Sequence, residues 1–351
     1  MPDALLFDPD LATLGGGERY LFSLADHLGA AADVTIAAPV LPSPERMRTL
    51  GFEDRWPLEL LPLPDLTSRS EDFDTLVYLS LDLPLPSRAR RSYLVVQFPF
   101  FRLTGRRHPR ARRHQRRALA GYRLVVYSSF AQAWVRRRWG GDATVLPPPV
   151  RLGRYQPEAK SPCILSVGRF FPQGHSKRQD VLVEAYKRLP DAVREGWPLV
   201  LAGGCTGDAV SARYLADLRR AAAGHDVHFA VNVPQAELED LYRRASLFWH
   251  ATGYGRPPDR PEAAEHFGLA TVEAMSYGCV PMVYADGGQT EIVRSGHGML
   301  WTTTEELVDM TGRLVQDADE RQRLAIRAAE ASQEHGYPAF RERCGRLFEA
   351  L

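Results

Sequence analysis

The sequence predicts an α/β protein built from two doubly wound, Rossmann-like domains. Its 351 residues exceed what one ordinary core needs and suit two domains. Short apolar runs alternate with amphipathic helical segments, as is typical of parallel sheets covered by helices. The clearest linker is Val-Leu-Pro-Pro-Pro-Val at 145–150, which three prolines stiffen. The predicted domains are therefore residues 1–149 and 150–335, and residues 336–351 form a final helical segment.

In the first half, a buried strand is expected at residues 4–7 and an amphipathic helix at 17–28, with Leu-Gly-Gly-Gly between them. Glycines let a ligand approach the backbone where a helix offers its first N–H groups, although such turns also serve plain strand-to-helix packing. Further strands are expected at 34–38, 75–78 and 93–97. The last of these ends at Gln97, at the sheet edge where ligands gather in doubly wound folds.

The second half repeats this alternation. A buried strand is expected to end at Gly168 and Arg169, followed by a loop containing Lys177. Residues 262–291 predict a loop, a helix at 269–277, a stop at Gly278 and a buried strand at 280–284. The other expected elements are a helix at 179–188, strands at 199–204 and 227–233, and helices after residue 304 that are broken at 336–338 before a last helix at 340–351.

Composition indicates an ordinary globular protein, with 44% hydrophobic and 25% charged residues. There is no run of 18 apolar residues and no N-terminal signal pattern. We therefore expect a cytoplasmic enzyme, with peripheral contact at the inner membrane face left open. The four cysteines are scattered without metal-ligand spacing and are predicted to be reduced.

Positive charge is concentrated in one segment, although the net charge is only +1. Residues 102–117 contain eight arginines and two histidines, and no Asp or Glu occurs between Asp82 and Asp142. One interpretation is a solvated, partly helical surface. The others are binding of an anionic acceptor or membrane surface and, less well supported because interleaved aromatics are missing, binding of nucleic acid.

Two carboxylates, Glu265 and Glu273, stand eight residues apart across the start of the expected helix at 269–277. The free N–H groups of a helix N-terminus attract anions such as phosphate. A carboxylate beside them accepts hydrogen bonds from sugar hydroxyls. The pattern therefore favours a ligand that joins a phosphate to a polyol, although two such glutamates can also simply face water.

These residues carry a resemblance. The string Glu-His-Phe-Gly-Leu-Ala-Thr-Val-Glu-Ala-Met from residue 265, with Gly-Cys-Val-Pro and Asp-Gly-Gly-Gln-Thr-Glu after it, resembles the donor-binding signature of the retaining nucleotide-sugar glycosyltransferases of family 4. The resemblance implies the GT-B fold, in which two Rossmann-like domains face each other across a cleft. It covers most of the second domain and is thin over the first.

The resemblance also implies roles for particular residues. Arg169 and Lys177 would stabilise the donor diphosphate, and with Glu265 they form the expected catalytic set. Glu265 would hold sugar hydroxyls, Glu273 the ribose hydroxyls, and the backbone near Asn232 and Val233 the base. The remaining expected donor contacts are Gly16, Gly17, His266, Phe267, Gly268, Leu269 and Thr271, with Glu18 beside the glycines. No cofactor or metal is expected. Asp8 and Asp10 form a D-x-D pair of the kind that holds a metal in another class of glycosyltransferases, but they lie in the wrong context for it.

The predicted reaction is transfer of a sugar from a nucleoside diphosphate sugar to a hydroxyl or amine, with retention of anomeric configuration. The acceptor is a small-molecule, lipid-linked or saccharide compound, and Gln97, Arg102, Arg106 and Arg107 are its candidate contacts. Gln97 stands where many relatives carry a histidine, which makes a histidine-assisted step doubtful. Alternatives are a nucleotide-sugar epimerase on the same scaffold and a non-catalytic protein that binds anions or nucleic acid through the arginine segment. The insertion at 254–264 is expected to reshape the sugar pocket.

Overall fold

The computed structural model describes residues 3–49, 52, 55–103 and 108–348. It divides the chain into two compact units. The first unit consists of Met1–Pro149 with Tyr337–Leu351, and the second of Val150–Gly336. Two of the expected acceptor contacts, Arg106 and Arg107, lie outside the described residues.

The first unit contains a seven-stranded parallel sheet in the order β3-β2-β1-β4-β5-β6-β7. Its strands are β1 (Asp3–Phe7), β2 (Asp33–Ala38), β3 (Leu58–Leu60), β4 (Thr75–Leu79), β5 (Arg91–Val96), β6 (Arg123–Val126) and β7 (Ala143–Val145). Its helices are α1 (Gly16–Leu28), α2 (Pro44–Thr49), α3 (Leu66–Arg69), α4 (Pro109–Ala120), α5 (Ser129–Trp139) and α14 (Tyr337–Phe348). Strand β1 pairs with β2 on one side and β4 on the other, so the strand order reverses there. The carboxyl end of such a reversal is where doubly wound sheets bind ligands.

The C-terminal helix α14 packs within the first unit. The ring of Phe340 meets Tyr20 edge-on at 5.7 Å, and Phe348 lies 4.7 Å from Tyr93. The sequence predicts a break in the helical pattern at residues 336–338, but α14 begins at Tyr337. Pro338 is compatible with this start because a proline in the first turn interrupts no helical hydrogen bond.

The second unit contains a six-stranded parallel sheet in the order β10-β9-β8-β11-β12-β13. Its strands are β8 (Ser161–Val167), β9 (Leu199–Gly203), β10 (Val227–Val231), β11 (Ala245–His250), β12 (Val280–Tyr284) and β13 (Met299–Trp301). Its helices are α6 (Gln179–Lys187), α7 (Asp191–Arg194), α8 (Ala209–Ala221), α9 (Gln235–Arg244), α10 (Leu269–Ser276), α11 (Gln289–Ile292), α12 (Thr304–Gln316) and α13 (Ala318–Ser332). The strand order reverses between β8 and β11, which pair in parallel. Arg169 and His250 therefore lie at one edge of this sheet.

The predicted fold class, two doubly wound α/β units, is confirmed. The sequence pattern does not predict the three-residue strands β3, β7 and β13, which are too short to show a period. Strand β7 includes Val145, which pairs with Val126, so the first residue of the expected linker belongs to the sheet. Among the described residues, no helix is long and apolar enough to cross a bilayer. The four cysteines are free thiols.

Candidate functional site

The turn before α10 buries a glutamate at the edge of the second sheet. Glu265 is only 7% exposed, three residues before Gly268, which adopts φ 122°. L side chains rarely adopt this conformation, so glycine is required at position 268 for the chain to turn into α10. The N–H groups of Thr271 and Val272 both bond to the carbonyl of Gly268, at 3.0 and 3.2 Å. The N–H groups of Leu269 and Ala270 precede this ladder, at the end of the helix that favours anions.

Glu265 is paired with Lys177. Lys177 Nζ lies 2.5 Å from Glu265 Oε2, and the two side chains are 18% and 9% exposed. Burial by itself raises the pKa of Glu265, but the charge of Lys177, the largest opposing cause, outweighs this effect and holds that pKa well below its usual value. Glu265 thus stays ionised at neutral pH, and Lys177 is directed at its carboxylate.

A chain of hydrogen bonds that ends at His250 fixes the orientation of Glu265. Thr271 Oγ1 donates to Gln289 Oε1 at 2.8 Å, and Gln289 Nε2 donates to His250 Nδ1 at 2.7 Å. With Nδ1 accepting, His250 Nε2 carries the proton and points at Glu265 Oε2, 3.2 Å away. All three supporting residues are 2% exposed or less. The expected donor contact Thr271 therefore uses its hydroxyl inside the protein.

Two more histidines line the other side of Glu265. The rings of His175 and His266 stack at 4.8 Å, and His175 Nε2 lies 3.5 Å from Glu265 Oε1. Burial lowers the pKa of His266 to about 4 and, together with the charge of Lys177, that of His175 well below its usual value. Both rings are therefore neutral at pH 7, and His266 Nε2 meets the carbonyl of Glu262 at 3.1 Å.

The turn after β12 supports the backbone of the same glutamate. Gly287 has φ 67°, and a Cβ there would lie 2.2 Å from the carbonyl oxygen of Glu265. The next residue, Gly288, donates its N–H to that carbonyl at 2.7 Å. No larger residue fits at position 287, so the Asp-Gly-Gly segment holds Glu265 by close backbone approach.

Arg169, two residues after the end of β8, is exposed, and its guanidinium has no hydrogen-bond or ion-pair partner in the described part of the chain. Gly168 beside it contacts Lys177, since a Cβ at 168 would lie 2.5 Å from Lys177 Cγ. The structure thus brings Arg169, Lys177 and Glu265 to one sheet edge and leaves Arg169 available to a ligand.

This contact predicts the effect of Gly168→Ala. The added methyl group has to displace Lys177 from Glu265, and overpacking of this kind typically costs about 1–3 kcal/mol. We expect a lower free energy of unfolding in urea and a weakened ion pair. Gly207→Ala is the matched control, because a Cβ at 207 meets nothing within 4 Å. Equal unfolding free energies for the two variants would contradict the contact.

Glu273 lies within α10 and is half-buried. Its Oε2 accepts a hydrogen bond of 2.9 Å from the hydroxyl of Tyr242, in α9. Burial foremost, and then the charge of Glu273, raises the pKa of this tyrosine well above its usual value, so it remains a donor. Tyr242 thus fixes one oxygen of Glu273.

The exposed Asn232 bonds to another loop of the protein through its side chain. It follows β10 in a left-handed conformation with φ 54°, which asparagine tolerates better than most residues. Its Oδ1 accepts from the N–H of Cys205 at 2.8 Å, and its Nδ2 donates to the carbonyl of Cys205 at 3.1 Å. The side chain therefore clamps the loop after β9, and the neighbouring Val233 is half-buried.

The insertion at 254–264 is tied to the rest of the second unit at two points. Arg178 donates to the carbonyl of Tyr254. Arg256 forms a bidentate pair with Asp286, at 2.5 and 2.9 Å. Asp286 immediately precedes Gly287, so the insertion is anchored to the turn that supports Glu265.

Gly16 and Gly17 at the start of α1 and Gln97 directly after β5 lie at the carboxyl edge of the first sheet. Gly17 is in the first turn of α1, and a Cβ there would lie 2.3 Å from Gln97 Nε2. Glu18 is 6% exposed, and its carboxylate accepts the N–H of Gly15, so it turns back onto the helix start that contains Gly16. Arg102 is exposed, and in α4 only Leu119 is buried, which fits the prediction of a solvated arginine helix.

Four residues of the site are not predicted from the sequence: His175, His250, Gln289 and Tyr242. His250 ends a strand beside the switch point, which is a signal in itself. Gln289 belongs to the Asp-Gly-Gly-Gln segment, but its partners on other elements are invisible in sequence. In the described residues, no group of three or more His, Cys, Asp or Glu is placed to hold a metal ion. Within the D-x-D pair, Asp8 Oδ1 accepts a hydrogen bond from the N–H of Asp10.

Comparison with known proteins gives the family. A family model described as glycosyl transferases group 1 matches residues 153–331. The GDP-Man:Man(3)GlcNAc(2)-PP-Dol alpha-1,2-mannosyltransferase of Xenopus tropicalis is 28% identical over 127 residues, which are 36% of this chain and 24% of that protein. This chain thus matches about a quarter of the length of that curated relative.

Solved structures resemble the whole chain. Anabaena HepE in complex with UDP-glucose superposes with a TM-score of 0.74 at 16% identity, covering 100% of both chains. WaaG, a glycosyltransferase involved in lipopolysaccharide biosynthesis, superposes with a TM-score of 0.71 at 15% identity, covering 99% of this chain and 100% of its own. At such identities these likenesses establish the fold. Because the family model spans just over half of the 351 residues, the chain belongs to the glycosyl transferases group 1.

Proposed function

We propose that this chain transfers a glycosyl group from a nucleoside diphosphate sugar to an acceptor hydroxyl or amine, with retention of anomeric configuration. The observation that carries the proposal is the buried, ionised Glu265, paired with Lys177 at 2.5 Å beside the free end of α10. A buried charge pair is expensive to desolvate and is weak evidence for stability. Its position at the sheet edge and at a helix N-terminus is instead that of a ligand site.

In this proposal the cations and the helix end stabilise the departing diphosphate. Arg169 is exposed and offers a planar fork that fits phosphate oxygens in bidentate fashion. Lys177 has three N–H donors, so it can keep one on Glu265 and direct another at a phosphate. The N–H groups of Leu269 and Ala270 add further donors. Stabilisation of charge that develops in the transition state is usually the largest catalytic effect.

Glu265 then has two tasks. Its carboxylate, held by Lys177 and by His250, accepts hydrogen bonds from the sugar hydroxyls and fixes the ring. Its negative charge also favours the positive charge that grows on the sugar ring as the bond to the leaving group breaks. The neutral histidines around it add no competing positive charge at pH 7.

Glu273, with one oxygen fixed by Tyr242, is proposed to hold the ribose hydroxyls of the donor, and the backbone at Asn232 and Val233 to lie at the base. The nucleotide is left open, because HepE holds UDP-glucose and the curated mannosyltransferase is named for GDP-mannose. We propose no metal in the reaction. The acceptor side is assigned to the first unit, with Gln97 beside Gly17 as its first contact.

Thermal stabilisation by nucleotides tests donor binding. The melting temperatures of the wild type and of the double variant Arg169→Ala with Lys177→Ala are measured in the presence of UDP, GDP, ADP or dTDP. A ligand present at 100 times its dissociation constant adds about 2.7 kcal/mol to the stability of the native state. We expect one nucleotide to raise the melting temperature of wild type and to lose this effect in the double variant.

The matched control replaces another arginine and lysine, the exposed Arg188 and the half-buried Lys187, at the end of α6. Its response to the nucleotide is expected to equal that of wild type. Stabilisation that survives in the Arg169 and Lys177 variant would overturn their assignment to the diphosphate. Consumption of the sugar nucleotide to its epimer, with no acceptor present, would favour the epimerase instead.

A further inference from the structure

A lysine lies at the amino-terminal edge of the second sheet, opposite the edge that carries Glu265. Lys160 directly precedes β8. Its Nζ donates to the carbonyl of Ala245, the first residue of β11, at 2.6 Å, and lies 3.5 Å from the Sγ of Cys279, which directly precedes β12. Because these strands run parallel, the three residues form a cluster at the end of the sheet that faces away from Glu265.

Helix α9 ends at this cluster, and other elements bind its last carbonyls. The final four carbonyls of a helix have no partner within the helix. Lys160 Nζ and Cys279 Sγ lie 3.2 and 3.1 Å from the carbonyl oxygen of Tyr242, in the last turn. Ser161 Oγ donates to the carbonyl of Arg244 at 3.1 Å. A cation is favoured at this end of a helix, so Lys160 anchors α9 to the edge of the sheet.

The charge of Lys160 is held by carbonyl groups rather than by a carboxylate. The residue is half-buried, and in the part of the chain that the structure describes no Asp or Glu pairs with it. Burial foremost lowers the pKa of its ammonium group, against the effect of the Cys279 thiol. A partly buried charge without a counter-charge lowers stability, and the usual reason to retain such a group is functional.

Tyr242 connects this anchor to the candidate functional site. The residue whose carbonyl accepts from Lys160 also donates its hydroxyl to Glu273 Oε2, at 2.9 Å. Its side chain is enclosed, since the residue is 2% exposed and its ring stacks on Tyr277 with centroids 5.8 Å apart and an angle of 6° between the planes. The ring is rigid, so a shift of the Tyr242 backbone moves the hydroxyl relative to Glu273.

We propose that Lys160 is a positioning residue for recognition of the donor ribose. By anchoring the end of α9, it holds the Tyr242 hydroxyl on Glu273 and thereby orients the carboxylate that receives the ribose hydroxyls. Without this bond the glutamate side chain has more rotational freedom, which the ribose must remove on binding, and affinity falls. The proposal rests on the proposed function, in which Glu273 binds the ribose. Lys160 itself contacts no substrate.

Isothermal titration calorimetry with the full chain tests this role. The probes are UDP and GDP, each beside its 2′,3′-dideoxy counterpart, and the ratio of the two dissociation constants defines the ribose preference. We expect wild type to prefer the ribonucleotide about tenfold or more, because hydrogen bonds to a charged group are among the stronger ones. Lys160→Met keeps the length of the side chain but removes the donor and the charge. It is expected to abolish the preference and to leave affinity for the dideoxynucleotide unchanged.

A double-mutant cycle separates positioning from a merely structural role. Tyr242→Phe removes only the hydroxyl, and we expect it to lose the ribose preference as Lys160→Met does. Because Lys160 acts through Tyr242, the double variant is expected to lose no more than either single variant. Lys187→Met is the matched control, since Lys187 also stands at the end of a helix but its Nζ bonds to the exposed Glu184. Its ribose preference is expected to equal that of wild type.

The outcomes distinguish this proposal from the proposed function. Lys160→Met with the wild-type ribose preference, or with affinity lowered equally for both nucleotides of a pair, would overturn the positioning role and leave glycosyl transfer in place. Losses that multiply in the double variant would also overturn it, because Lys160 would then act apart from Tyr242. Equal affinity of wild type for both nucleotides of a pair would refute the assignment of Glu273 to the ribose and this proposal with it. No binding of any nucleotide to wild type would refute the proposed function itself.

Discussion

Glu265→Gln is expected to lower the rate of sugar transfer by about 10²–10³-fold, by analogy with the loss of one donor from an oxyanion site. Glutamine preserves the shape but removes the charge that accepts from Lys177 at 2.5 Å and from His250 at 3.2 Å. The amide of glutamine would also place its own N–H donors against Lys177 or His250, which are themselves donors. The rate is measured as release of the nucleotide in the presence of donor and acceptor.

A matched pair on α6 serves as the control. Lys187 Nζ lies 2.9 Å from Glu184 Oε1, but Glu184 is 59% exposed, so Glu184→Gln is expected to leave both rate and stability unchanged. A rate for Glu265→Gln equal to that of Glu184→Gln would refute the assignment of Glu265.

Loss of folding has to be separated from loss of chemistry. Removing one partner of a buried ion pair typically costs about 3–5 kcal/mol, because the other charge is left buried and unpaired. The double variant Lys177→Met with Glu265→Gln removes both charges. We expect it to be more stable than Glu265→Gln alone and equally inactive, which assigns the loss of rate to the missing groups.

The sequence predicts the parts of this molecule that depend on local order. The helix expected at 269–277 is observed at Leu269–Ser276, and the strand expected at 280–284 is Val280–Tyr284. Each is an apolar run bounded by glycine, and Gly278 with φ 77° ends the helix as expected. Short edge strands such as Met299–Trp301 have no such signal, because three residues are too few to show a period.

The same distinction applies to the site: residues in local motifs are predicted, whereas contacts between distant elements are not. Glu265 and Lys177 are predicted from their motifs, but not that they bond to each other across 88 residues. The chain from Thr271 through Gln289 to His250 joins α10, α11 and β11, so only the folded packing reveals it. Asp8 appears in the sequence as half of a D-x-D pair. Its burial without a cation depends on tertiary packing and cannot be predicted from residue spacing.

Asp8→Asn is expected to stabilise the protein at pH above about 7. Burial foremost raises the pKa of Asp8 from 3.8 to about 7 in the folded chain. Between these values the folded state keeps a proton that the unfolded chain releases, so stability falls as the pH rises, and the loss is complete above about 7. Three units of pKa correspond to at most about 4 kcal/mol. Asparagine is neutral throughout and avoids this loss.

The measurement is the free energy of unfolding of Asp8→Asn and wild type at about pH 4 and about pH 8. We expect a gain for the variant at the higher pH that shrinks toward zero at the lower one, and no such pattern for the exposed Asp33→Asn. A variant less stable than wild type at about pH 8 would mean that the ionised Asp8 is favourably paired in the native state. A gain in stability accompanied by loss of sugar transfer would instead identify Asp8 as a group retained for function at a cost in stability.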